Sequence, residues 1–456
     1  IYGKGCGRSL YPIGLPPLRN PSNHKCGGGG MVIDQKNVRH TTIQLTDSLL
    51  EHNSAIWHGG GLHARHATIT LQRTEILQNY AFKNGGGVYG LGMHLTLTEN
   101  SQIRDNEAEE CGGGIHMRGG DVSQQTPSAL IGHSNDNNAA ILSGNIAKQH
   151  GGNVMVDTLM CNKIKQDYFC VEHHGCVWRS NQCLMKNRDV TKTSMAMMAL
   201  VNGVANEMGG GLSVQHAHVE MKNMEVLSNR ALKKGGGLSL LSGSTVTIQK
   251  GIIISLNVAQ EDGGGIFMDS RTKWNSTMNK LTRVDRNIAW NNGGGVYMYD
   301  SDAFFSDYSD DDSTSAAAYG IEIARNIARN GAGMYIMGQT VGKKKYSRSY
   351  NTLLGPTLLK NVDIHQNWGL VGGGGIRVES TTVIFDKLNL ERNTVYEGLA
   401  KIYIKYRAPE CLDKYGDKPE NSKKQIYKTK ESCIDIDETR FWLWETPLLN
   451  KGSESR

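Results

Sequence analysis

The densest run of carboxylates in this sequence is Ser309-Asp310-Asp311-Asp312, with Asp300, Asp302 and Asp307 just upstream. Clustered oxygens of this kind could hold calcium. The run lacks a recognised calcium-loop spacing, however, and a solvated acidic loop is the alternative. Four of the nine cysteines crowd into one segment: Cys161, Cys170, Cys176 and Cys183. Their intervals of 8, 5 and 6 residues contain no Cys-x-x-Cys, so a disulfide knot suits them better than zinc. Cys6 with Cys26, and Cys411 with Cys433, are further bridge candidates by proximity, although connectivity is not deducible. Cys111 is then odd, either a buried free thiol or one half of an intermolecular bridge. This cysteine usage favours an oxidising, extracellular compartment. There the sequon Asn275-Ser276-Thr277, read as lying between two strands, would carry a glycan.

Composition narrows the partners. Lys and Arg number 50 against 44 Asp and Glu, an excess too small to argue for nucleic acid, and no basic helix or stacking module accompanies it. No run approaches the ~18 apolar residues that a membrane span needs. The chain begins at Ile1 and carries no signal peptide, so it reads as a processed chain or a piece of a longer one.

What must position any chemistry is a repeat. Ten times an aliphatic residue is followed three positions later by Asn: Asn53, Asn79, Asn106, Asn145, Asn229, Asn257, Asn287, Asn326, Asn367 and Asn393. In nine of the ten cases the sixth residue after the Asn opens a glycine block or a worn copy of one. Blocks start at 28, 59, 85, 112, 151, 209, 235, 263, 293, 331 and 373, and the shortest steps are 26 residues. A fixed internal pattern with this period marks a solenoid. After each block come two apolar residues flanking a variable one, as in Ile115-His116-Met117 and Val296-Tyr297-Met298, which is strand alternation. A second alternating run follows, as in Leu95-Thr96-Leu97, and the aliphatic-x-x-Asn element supplies a third short strand. The expected fold is therefore all-β, a right-handed parallel β-helix of about 12 rungs. Rungs stack about 4.8 Å apart, so like residues sit over like. A turn Asn can then pass its amide hydrogen bonds up a ladder.

The repeated Gly-Gly-aliphatic motif with its upstream aliphatic-x-x-Asn resembles the polymorphic outer membrane protein (Pmp-like) repeats of surface adhesins, over residues 26–404. That family uses Phe-x-x-Asn where this chain has Ile, Leu or Val. The resemblance implies a surface-exposed, adhesin-like solenoid and transfers no ligand; nothing in the chain resembles the barrel of the bacterial members. Residues 161–183, through His174-Gly175-Cys176-Val177-Trp178, partly resemble a PSI-type cysteine-rich module. That module normally has a cysteine just after the Trp, where this chain has Arg179.

The register assigns one residue per rung, the middle of the strand after each glycine block, to the outside. Down the rungs these are Val32, His63, Tyr89, His116, Met155, Ser213, Ser239, Phe267, Tyr297, Tyr335, Arg377 and Tyr403. The last five form an aromatic stripe with one Arg, read either as a binding surface for sugar rings or a partner protein, or as a ladder that only stabilises stacking. Glycoside hydrolysis wants two carboxylates about 5–9.5 Å apart. The outward row holds none, and the Asn-Thr-Asp, Gly-His-Gly and Arg-Ile-Lys motifs of polygalacturonase-like enzymes are missing. No catalytic residue and no firm metal site emerge, so a polysaccharide lyase or glycoside hydrolase is the runner-up.

Extra residues collect after the same strand of the rung, in 118–139, 157–194, 300–318 and 338–354. The acidic and basic stretches among them, on successive rungs, are expected to pair. Residues 1–25 and 405–456 leave the repeat and read as a cap or extension and as a cap or docking segment; the latter holds Phe441-Trp442-Leu443-Trp444. The expected role is that of an extracellular structural or adhesive protein without a cofactor. Its partner would be a neighbouring subunit or a cell-surface glycan.

Overall fold

The structure, a computed structural model, describes residues 28–34, 41–119, 128–133, 140–157, 176–179, 182–185, 192–269, 272–277, 282–306, 321–338, 357–379, 381–396, 402–405, 424–428 and 433–437. Every regular element among them is a β-strand. Parallel pairing stacks these into sheets of 12, 19 and 11 strands, the all-β parallel β-helix expected from the repeat. In a representative rung the chain runs through Val88–Leu91 in the first sheet. It continues through His94–Thr98 and Gln102–Arg104 in the second, and Glu107–Ala108 in the third.

That path corrects the expected rung. The second alternating run and the aliphatic-x-x-Asn strand are not two sides but one sheet. In later rungs they merge into single strands such as His218–Leu227 and Thr382–Glu391. The third side is the two-residue strand just after the Asn, for example Tyr80–Ala81 or Arg230–Ala231. The corner falls on the residue before each Asn, which takes a left-handed backbone: Gln78 (φ 51°), Asp105 (φ 55°), Leu256 (φ 61°) and Arg325 (φ 55°). An L-residue pays about 1–2 kcal/mol for that conformation. The price recurs at every rung, so the turn must be held by something repeated as often.

That something is the Asn side chain. Asn106 Oδ1 accepts from the backbone N–H of Asn79 (2.9 Å) and from its Nδ2 (3.0 Å), and Asn79 Nδ2 also donates to the Leu50 carbonyl (2.8 Å). The same triple of contacts links Asn229 to Asn257, Asn257 to Asn287, and Asn326 to Asn367. Asn53 and Asn393 end the column by hydrogen bonds to Asn79 and Asn367. The glycines beside it let backbones meet. A Cβ on Gly60 would fall 2.3 Å from the Gly86 carbonyl oxygen of the next rung, and Gly59 itself has φ 69°. Inside, Leu95, Leu97, Ile103 and their counterparts above and below form one continuous apolar core.

Some boundaries shift. Asp157 pairs with Gln215, and Lys192–Val201 pairs with His218–Leu227, so the cysteine insert shrinks to residues between those strands. Within it, Cys176–Arg179 and Gln182–Met185 form a separate antiparallel hairpin, with Cys176 opposite Met185 and Cys183 opposite Trp178. Ser128–His133 and Asp302–Ser306, placed by the sequence reading in loops, are strands of the second sheet. Asn275 is likewise mid-strand, between Thr247 and Phe304, because Trp274 and Ser276 turn inward beside it. Beyond the last rung, Cys433–Asp437 adds to Thr382–Glu391 and Lys424–Lys428 pairs antiparallel with it, breaking the parallel order. Cys6, Cys26, Cys161, Cys170, Cys411, Asp310–Asp312 and the Trp442 segment lie outside the described residues, as does most of the basic stretch 338–354.

One rung departs from the pattern and repairs itself. Gly203 stands where the ladder needs Asn, and Asn153 stands where a glycine block needs its third glycine. Asn153 fills the gap: it accepts from Asn145 Nδ2 (2.8 Å) and donates to Asn229 Oδ1 (3.0 Å) and the Val201 carbonyl (3.1 Å). Asn153→Gly should cost about 1–3 kcal/mol by leaving buried polar groups unpaired. Gly203→Asn should destabilise too, since a Cβ there meets the Gly210 carbonyl oxygen at 2.3 Å and Asn153 Nδ2 at 2.6 Å, and only the second clash is relieved by removing Asn153. The double variant should be more stable than Gly203→Asn alone. Strict additivity in urea denaturation would contradict this exchange.

Candidate binding face

Most of the row expected to face solvent is buried, with Val32, His63 and Arg377 half-buried. Phe267, Tyr297 and Tyr335 are only 4%, 8% and 6% exposed, and His116, Met155, Ser213 and Ser239 are buried as well. The reason is the sharp turn into each glycine block. The residue just before the block forms its own column of isolated parallel bridges, such as His58 with Asn84 and Asp262 with Asn292. Its side chain folds over the strand residue of the following rung. His58 stacks on Tyr89 at 4.4 Å, Lys234 Nζ lies 5.0 Å from the Phe267 ring, and Asn330 Oδ1 accepts from Arg377 Nη1 at 2.5 Å. The two columns thus fill a crease between the third and first sheets.

In the later rungs this crease is a small apolar cluster separate from the core: Leu241, Phe267, Tyr297 and Tyr335, with Met208, Tyr299 and Met337 packed on it. The rings stack at 5.4 and 5.3 Å, both 10° from parallel. Arg377 is committed to Glu379 (2.6 Å) and lies over Tyr335 at 5.6 Å. Tyr403 continues the column in register with Arg377. The stripe is therefore a packed ladder, and its ring faces are used up against one another.

The earlier rungs fill the crease with polar aromatics. His63 and His116 flank Tyr89, His116 Nε2 meets Asp157 at 3.1 Å, and Arg118 grips Asp157 through two 2.9 Å bonds. Burial alone would raise the Asp157 carboxyl, but Arg118 and His116 hold it far below the usual range. Burial pushes the Cys111 thiol up to about 12, which removes its thiolate and its reactivity at neutral pH. Among the described residues no group of three or more His, Cys, Asp or Glu could hold a metal.

Solvent instead meets a different side chain set, one the sequence reading did not single out. Half of the fourteen exposed large hydrophobics among the described residues lie on or beside the third sheet in its last four rungs: Ile288, Trp290, Ile327, Trp368, Leu370, Val371 and Tyr396. Trp290, Trp368 and Tyr396 are 61%, 51% and 78% exposed. Parallel register puts Ile288, Ile327, Trp368 and Thr394 in one column. A second set, two residues further on in sequence, is Trp290, Arg329, Leu370 and Tyr396, although the register between Arg329 and Leu370 is broken by an irregularity after Ala328. Two residues before, at the left-handed corner, Arg286, Arg325, Gln366 and Arg392 make a third. The signal was in the sequence, as large residues alternating around the small one after each Asn (Ile288-Ala289-Trp290, Trp368-Gly369-Leu370). A small residue two positions after a turn Asn reads equally well as part of the turn.

A second cluster lies on the outer face of the second sheet. Glu322 and Asp363 are register neighbours on adjacent rungs, and His365 Nε2 stands 3.1 Å from Glu322 and 3.8 Å from Asp363. Burial pushes the Asp363 carboxyl up, although His365 opposes the shift. Asp285 beside them is ringed by Arg283, Arg286 and Arg325 at 3.2–3.5 Å. The chain matches no protein-family model, no curated protein and no solved structure.

The crease has a pH signature. Burial first, then repulsion from His116, Arg118, His63 and Lys83, pushes the His58 imidazole down to about 2. Unfolded, it titrates near 6.5, so between those values the unfolded chain binds a proton that the folded chain refuses. Stability should therefore fall as pH drops below about 6.5. His58→Phe keeps the ring on Tyr89 and should flatten the loss of Tm between pH 7 and 5. Equal losses in both proteins would rule out His58 as the source.

Proposed function

We propose that this chain is a non-enzymatic structural or adhesive solenoid of the cell surface or extracellular space, and that it docks a partner on the third-sheet face of its last four rungs. The carrying observation is the concentration there of exposed Trp290, Trp368 and Tyr396, on strands stacked in parallel over successive rungs. Contiguous exposed apolar surface of this kind marks interaction sites. Aromatic residues with Arg are also the usual anchors of protein and sugar recognition. The partner is a neighbouring subunit or a surface glycan. The nine cysteines support the oxidising location.

The Trp290→Ser, Trp368→Ser, Tyr396→Ser triple variant should keep its circular dichroism and weaken partner binding at least tenfold, the scale of a lost hot spot. Self-association by ultracentrifugation and binding to a glycan panel are the two readouts. Electron microscopy of concentrated protein separates the two partners, since fibres would favour a filament subunit. Unchanged binding in both assays would remove this face from the function.

One observation favours a second reading, a polysaccharide-active enzyme. Glu322 and Asp363 are two carboxylates on neighbouring strands, with a His within hydrogen-bond reach of one of them. Burial raises the Asp363 carboxyl, and two carboxyl groups set in different surroundings are what an acid–base pair needs. If this reading holds, reducing or unsaturated sugar ends should appear on incubation with uronate polymers or neutral glycans, and Glu322→Gln should abolish them. No release above the Glu322→Gln background would leave the cluster as an ion network that ties the rungs together.

A further inference from the structure

Resting on the docking face proposed above, we infer that its occupant is an acidic polysaccharide lying along the solenoid axis. The face combines two chemistries. Trp290, Trp368 and Tyr396 offer exposed rings to the C–H faces of sugars. Arg329 and Arg392 offer guanidinium groups that form no ion pair among the described residues. A planar, always-charged fork of this type suits carboxylate and sulfate groups. Arg286 and Arg325 add charge at the edge but are partly spent on Asp285, at 3.5 and 3.2 Å.

No Asp or Glu occupies any position of the three columns across these four rungs. The fold does not impose this. The same columns in an earlier rung hold Asp105, Glu107 and Glu109, so their composition is free to vary. Three columns without an acid over four rungs, carrying Arg329 and Arg392 among aromatic rings, thus amount to a local choice of partner sign. The layout also has a direction. Positions repeat at the rung spacing of about 4.8 Å, so residues two rungs apart stand about 9.6 Å apart, close to the length of one extended disaccharide. Ile288 and Trp368 are a pair of that kind. A linear polymer with a ring and an anionic group in each repeat matches a rigid row of this spacing. A fluid anionic membrane surface has no such repeat.

The test uses the full chain against immobilised polygalacturonate and heparin, with cellohexaose as neutral control and phosphatidylserine vesicles as the anionic surface. Wild type should bind the two acidic polymers and release as salt rises from about 0.05 to about 0.5 M, as screened charge requires. The Arg329→Gln, Arg392→Gln double variant should bind at least fivefold more weakly with an unchanged Tm, and so should Trp290→Ser, Trp368→Ser. Binding to vesicles but to neither polymer, equal binding to cellohexaose, or full retention by the arginine variant would each overturn the acidic glycan. If acidic polymers fail while Trp290→Ser, Trp368→Ser still alters self-association or neutral-glycan binding, the face stands and only its ligand class falls. If that variant changes nothing in any assay, the docking face falls with it.

Discussion

The structure depends on superposition at one corner of the rung, where an amide ladder and a glycine column run side by side. Each buried Asn must reach the next at about 3 Å to satisfy its own backbone N–H and side chain. That distance is possible only if the neighbouring glycine backbones approach to where a Cβ cannot fit. Neither half works alone. A wider rung spacing would break the ladder, and a side chain at the glycine would force that spacing. The exchange of Asn153 and Gly203 shows what is conserved physically in this rung: an amide at one point in space, supplied from either of two backbone positions.

From that corner follows the division of the surface. The tight turn into each glycine block swings the preceding side chain over the first sheet, so the outer face of that sheet is consumed as a packed crease. Aromatic residues there serve the stack, and the charged ones pair: Arg118 with Asp157, Arg377 with Glu379. The third sheet has no such cover. Most of its strands are two residues long with an Ala turned inward, Ile327–Asn330 and Trp368–Gly372 run longer, and the residues alternating with the small inward one lie on the outer side. Selection on a partner can therefore act on the third sheet without disturbing the ladder next to it.

Much of the architecture was legible because its determinants are local and repeated. The Asn and glycine spacing marks the rung, the alternation marks the strands, and the eleven blocks with the worn copy at Leu399 match the 12 strands of the first sheet. The Glu322–Asp363 neighbours were not legible, since 41 residues separate them (363 − 322) and only the register makes them adjacent. Residues read as outward, from Tyr89 to Tyr335, were misassigned for a related reason. Alternation says which side of a strand a residue occupies, but not what else lies on that side.

The sequence by itself determined the fold class, the rung and the column of asparagines, because a one-dimensional period translates directly into a stack of like over like. Only the tertiary structure decided which of the outward columns reaches solvent. That outcome depends on the angle between two sheets, set by a left-handed residue before each Asn and a glycine turn after it. An angle between sheets has no counterpart in residue spacing. It buried the aromatic stripe and left Trp290, Trp368 and Tyr396 exposed.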